Sequence, residues 1–146
     1  MKRPDRCRPL TKSELLPMPA NTARALSLEH HVALSVIRNG QGNIHQFACL
    51  AKITYATFFM RDVTHGDINL ETLRRAESAV ERCLESLENG IPYTLHDDEI
   101  RSFEEIAALH DAQLSTVPLH HYVDASTRVH RRFVSGETRS PIPPAD

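Results

Sequence analysis

Stretches of this chain repeat apolar residues every three or four positions, and each stretch stops at a glycine or a proline. A sequence punctuated in this way has room for little except amphipathic helices. From Asn21, the set Ala25, Leu28, Val32 and Val36, with Leu26, Ala33 and Ile37 beside it, predicts a first helix that ends at Asn39-Gly40. Asn43 and Gln46 have capping-box spacing and open a second helix through Ile44, Phe47, Leu50, Ala51, Tyr55, Phe58 and Phe59, up to the break at Thr64-His65-Gly66. Between residues 44 and 60 its one charged side chain is Lys52, so this helix is either the most buried or holds a face in reserve for a partner subunit.

Asn69 caps a third helix on Leu70, Leu73, Ala76, Val80, Leu84 and Leu87, closed by Asn89-Gly90. Thr94 or Asp97 begins a fourth on Ile100, Phe103, Ala107, His110, Leu114 and Val117. Pro118 interrupts it, and a fifth runs from about 119 to 133 and stops at Ser135-Gly136. Tyr55-Ala56-Thr57-Phe58-Phe59 has strand propensity, but the longer helical period around it should prevail. The expected fold class is all-α: an antiparallel bundle of four to five helices at 19–134, an extended basic N-terminal arm at 1–18, and a disordered Pro-rich tail at 135–146. Four prolines keep long helix out of the first 20 residues, although Thr11 and Glu14 can cap one turn, and Leu15, Leu16 and Met18 are the expected apolar grip of the arm.

The 146 residues carry a formal net charge of −2, and that near-balance hides two basic ends. Residues 1–12 hold five basic side chains against Asp5, residues 13–127 eight against sixteen acidic, and residues 128–146 four against two. Lys2, Arg3, Arg6 and Arg8, with Arg128, Arg131 and Arg132, are therefore the candidate nucleic-acid contacts, weighed against ordinary solvated charge. No run approaches the roughly 20 apolar residues that cross a bilayer, and the start has charge without an apolar stretch behind it, so neither a membrane span nor Sec export is expected. Three cysteines without a C-x-x-C pair fit a reducing cytoplasm better than a disulfide framework. Cys49 and Cys83 read as small core hydrophobes, while Cys7 lies between two arginines that would lower its pKa.

Nine histidines invite a metal hypothesis, and spacing argues against it. No glutamate has a histidine three residues later, H-E-x-x-H is absent, and Glu29-His30-His31 points three ways around a helix. The weak exception is His110-Asp111, a pair of the kind that ligates metals in phosphohydrolases, with His96 and Asp124 available as outer ligands; a hydrogen-bonded interior histidine is the plainer reading. His120 and His121 suit a polar helix start. Glu77, Glu81 and Glu85 share a helix face, either solvated or offered to a basic partner. The glycines sit at helix ends and form no phosphate loop, no catalytic triad can be assembled, and no cofactor is implied.

Leu15-Leu16-Pro17-Met18-Pro19-Ala20, Ala25 to His31, Leu109 to Leu114, and Val117 to Tyr122 resemble segments of small uncharacterised helical proteins of proteobacteria such as the Burkholderia group, over about residues 10–133. Some of those proteins carry the label of Fis-family transcriptional regulators. That label implies a C-terminal helix-turn-helix with its second helix in the major groove. Here the last two helices meet at Pro118 without a glycine turn, and only Arg128, Arg131 and Arg132 make the last one basic. The function expected is therefore that of a non-catalytic, cytoplasmic, bacterial helical protein that acts through protein–protein contacts, as a regulator or a homodimer. Its expected interaction face is Phe47, Leu50, Tyr55, Phe58 and Phe59. The alternatives are a DNA-associated regulator using the basic termini and a metal-dependent hydrolase around His110 and Asp111.

Overall fold

The computed structural model describes residues 8–64 and 67–144. Among them the regular structure is helical: α1 (Lys12–Leu15), α2 (Ala20–Arg38), α3 (Ile44–Phe59), a 3-10 turn (Arg61–Val63), α4 (Leu70–Glu88), α5 (Asp97–Thr116) and α6 (Leu119–Ser135). The fold is all-α. Thr11 and Asn43 close capping boxes at the starts of α1 and α3, and the Asn69 side chain accepts the Glu71 N–H. Gly40, Gly90 and Gly136 follow α2, α4 and α6 with positive φ, the left-handed geometry that ends a helix without a Cβ clash.

α3 is central, packing against α2, α4, α5 and α6. Ion pairs set the directions: His31 meets Asp111 and Arg38 meets Glu104, so α2 runs antiparallel to α5. Arg82 meets Glu99, and nearer the start of α4 the Thr72 hydroxyl donates to Glu105, so α4 does too. The core joins Leu34, Phe47, Leu50, Leu73, Phe103 and Ile106. Phe47, Leu50 and Phe58 lie inside it, which corrects their assignment to an interaction face; Tyr55 and Phe59 are half-buried beneath the guanidinium groups of Arg132 and Arg128. A nearly uncharged helix reaches this position because each of its faces finds an apolar neighbour.

α2 is rotated from its expected phase. His30, Ala33, Leu34 and Ile37 are buried, whereas Leu28 and Val32 are 66% and 51% exposed. Where α2 turns into α3, Tyr93 ties the corner: its hydroxyl accepts the Gly42 N–H at 2.8 Å and donates to the Ile37 carbonyl at 3.0 Å. Tyr93→Phe leaves the Gly42 N–H without a partner, while the Ile37 carbonyl keeps the Gly40 N–H, and should lower stability by about 1–3 kcal/mol in a urea titration. Gly42→Ala should also destabilise, because its Cβ would stand 2.6 Å from Ile37 Cγ1.

Both termini depart from expectation. Met18 is buried, but Leu15 and Leu16 are about half exposed, and the arm is held through its backbone as well, by the Leu119 N–H donating to the Leu16 carbonyl at 2.8 Å. The described tail residues pack on the helices: Ile142 is buried in the core, Ser140 donates to Glu77, and Arg74 donates to the carbonyls of Pro143 and Pro144. Prolines start out extended and have no N–H to satisfy, so one buried isoleucine and a few hydrogen bonds offset the small ordering cost. Among the described residues no helix is long and apolar enough to cross a membrane.

Candidate functional site

A groove of about 770 Å³ runs between α2 and α6 with α3 as its floor. Leu26 and His30 line it from α2, Cys49 and Ile53 from α3, His110 from α5 and Phe133 from α6. Its polar centre is a pair of imidazoles, His30 and His110, whose ring centroids are 5.2 Å apart at 51°. Both side chains are buried.

His110 is fixed by a network that sequence reading missed. Gln113, one turn on, donates from Nε2 to the Thr57 carbonyl at 3.1 Å and to Thr64 Oγ1 at 2.9 Å. A carbonyl can only accept, so this orientation turns Gln113 Oε1 toward His110, 3.1 Å from Nδ1, and places the His110 proton on Nδ1. The lone pair of the neutral ring is then on Nε2. Burial pushes the His110 pKa down to about 4, with the His30 ring adding to the shift. Burial lowers the pKa of His30 as well, and its Nδ1 is sealed from solvent without a hydrogen-bond partner among the described residues. The three-residue spacing of His110 and Gln113 on one face was the available signal; Thr57 and Thr64 offered none.

Near neutral pH the groove therefore presents two uncharged imidazoles among apolar walls. Cys49 adds no activated nucleophile, because burial pushes its thiol pKa up. Glu29, His45, Lys52, Tyr122, Ser126 and His130 add polar groups around this centre.

The candidate metal ligands do not assemble. Asp111 follows His110 in sequence but pairs with His31 Nε2 at 2.7 Å. His96 is exposed at the start of α5, about 20 Å from His110 at ~1.5 Å per residue, and Asp124 is exposed on α6. Among the described residues no three His, Cys, Asp or Glu side chains come together as a metal site. His120 and His121 stack on each other in the first turn of α6.

The basic candidates separate. Lys2, Arg3, Arg6 and Cys7 lie outside the described residues. Arg8 pairs with Glu14 at 2.8 Å on the arm, which meets the first turn of α6. Arg128, Arg131 and Arg132 lie toward the other end of that helix, where they line one cleft. Of the acidic row, Glu77 accepts hydrogen bonds from Tyr55 and Ser140, while Glu81 and Glu85 are exposed.

A scan against protein-family models and searches of the curated proteins and of the solved structures return no match for this chain.

Proposed function

We propose that this chain is a non-catalytic helical protein that works through protein–protein contact, its partner a second copy of itself seated in the groove between α2 and α6. The observation that carries this reading is the apolar band on both lips of the groove. Leu28 and Val32 are exposed on α2, Val32 one turn on from the groove residue Glu29, and Val123, Phe133 and Val134 are 50%, 44% and 72% exposed on α6. Isolated exposed apolar residues need no explanation, whereas a band straddling a concave surface does. Ridge and groove belong to one face, so a two-fold axis would seat the α2 ridge of each copy in the groove of the other with one self-complementary patch.

On this proposal the contact itself is the output, which is a regulatory role. In this reading the setting is a reducing bacterial cytoplasm, which suits the free thiols of Cys49 and Cys83. Sedimentation equilibrium should show a monomer–dimer equilibrium that Leu28→Glu and Val134→Glu shift to monomer, with unchanged helical circular dichroism because both side chains face solvent. A wild-type monomer up to about 100 μM, where even a weak contact is occupied, would sink the reading.

A further inference from the structure

A second cleft, about 800 Å³, lies between the last turns of α6 and the segment that follows, and adjoins the histidine groove at His130 and Val134, which line both. It collects arginines: Arg128, Arg131 and Arg132 from α6 and Arg139 from the tail, with Glu137 the one carboxylate among its lining residues. Elsewhere Arg38 is matched to Glu104, Arg75 to Glu71 and Asp98, and Arg82 to Glu99, while Arg24, Arg74 and Arg101, unpaired among the described residues, lie apart from one another on three helices. Among the described residues Arg128, Arg131 and Arg139 form no such pair, although the chain as a whole carries more acidic than basic residues.

Two of the four are held in place. The Arg128 guanidinium lies 4.1 Å from the centre of the Phe59 ring. Arg132, its side chain 12% exposed, donates to the Arg139 carbonyl at 2.7 Å, approaches Glu137 at 3.5 Å and stands over Tyr55. Arg132 thus fastens the tail that brings Arg139 to the cleft. The C-terminal carbonyls of α6 favour a cation or two in this last turn, but they do not account for four guanidinium groups around one concavity, which repel one another until an anion joins them.

We propose that this cleft binds a compact multivalent phosphate, a di- or triphosphate group taken up by Arg128, Arg131 and Arg139. Arg128 and Arg131 are just under one turn apart, about 4.5 Å along the helix, which is the scale of a short phosphate chain and not of a duplex footprint. Ser140 at the cleft's edge is bonded to Glu77, and Glu81 and Glu85 continue along α4, so a long polyanion leaving on that side meets carboxylates. The Phe59 face is already covered by Arg128, which leaves recognition to the phosphates. Guanidinium groups suit this because they donate two parallel hydrogen bonds to phosphate oxygens.

The test is calorimetric titration of the full chain with inorganic tripolyphosphate, with adenosine triphosphate and with a single-stranded oligonucleotide. Saturable one-to-one binding of tripolyphosphate is expected, weakening as salt rises, with adenosine triphosphate within about threefold of it. Arg131→Ala and Arg139→Ala, both at exposed side chains, should each weaken tripolyphosphate by about tenfold. Arg101→Ala, exposed on α5, should leave it unchanged. The proposal is overturned by the absence of saturable tripolyphosphate binding or by an equal loss in Arg101→Ala. It is also overturned if the nucleotide binds where tripolyphosphate does not, or if tripolyphosphate fails to displace a bound oligonucleotide.

Discussion

Replacing Gln113 by leucine should cost about 3 kcal/mol or more of folding stability, a large effect for a side chain that adds no apolar core. Its amide serves three buried or half-buried groups at once, the Thr57 carbonyl, Thr64 Oγ1 and the His110 Nδ1–H. Leucine fills the volume and meets none of them. Each orphaned polar group costs about 1–3 kcal/mol when water cannot reach it. Thr64 retains its bond to the Met60 carbonyl and His110 Nδ1 keeps only the distant Thr57 hydroxyl at 3.5 Å, so the Thr57 carbonyl and His110 carry most of the loss. Gln113→Leu should also free the His110 ring to turn, broadening its proton resonances. Urea denaturation followed by circular dichroism measures the first effect; a loss below about 1 kcal/mol would mean that water replaces the amide.

Acid should unfold the protein through His110. In the unfolded chain its imidazole titrates near the ordinary 6.5, and in the fold at about 4. Between those values the unfolded state binds more protons, so stability rises with pH across the window. His110 imposes no penalty well above pH 6.5; the penalty grows as pH falls and levels off below 4, at about 3 kcal/mol. The surroundings of the ring set this direction: burial disfavours the cation, His30 from α2 opposes a second charge, and the Gln113 hydrogen bond and then Asp111 favour protonation without offsetting the burial, while Thr57 carries no charge. His30, also shifted down by burial, adds in the same sense. Carboxylates titrate in the lower part of the same range, but their contribution is common to the wild type and to His110→Gln. The stability difference between the two should therefore move by about 3 kcal/mol in favour of the variant between pH 7 and pH 4. A constant difference would show that the ring is hydrated in the native state.

Helix limits were legible because local chemistry writes them. Asn43 with Gln46, Asn69, and the positive-φ glycines at 40, 90 and 136 act within one turn of themselves, whatever packs nearby. The lack of charge on α3 left two readings open, burial or a face kept for a partner, and only packing on all sides decided that Phe47, Leu50 and Phe58 are core. The phase of α2 was not legible either. Ala25, Leu26, Leu28, Val32, Ala33, Leu34, Val36 and Ile37 cover more than half its circumference, and spacing alone cannot say which side receives neighbours. Packing against α3 and α5 chose the side with His30, and that choice left Leu28 and Val32 in solvent.

His110 was singled out from the sequence for the company of Asp111, a neighbour in the chain that points elsewhere, whereas its partner in space on α2 is His30, 80 residues away. Arg139 and Ile142 were assigned to a free tail because composition measures how little a segment can bury by itself. The sequence alone determined where helices begin and end, since those signals are satisfied within a few residues. Tertiary structure alone decided which polar groups meet, in the histidine groove and in the arginine cleft, because contacts between distant segments depend on how whole helix faces are matched, and no local period encodes that.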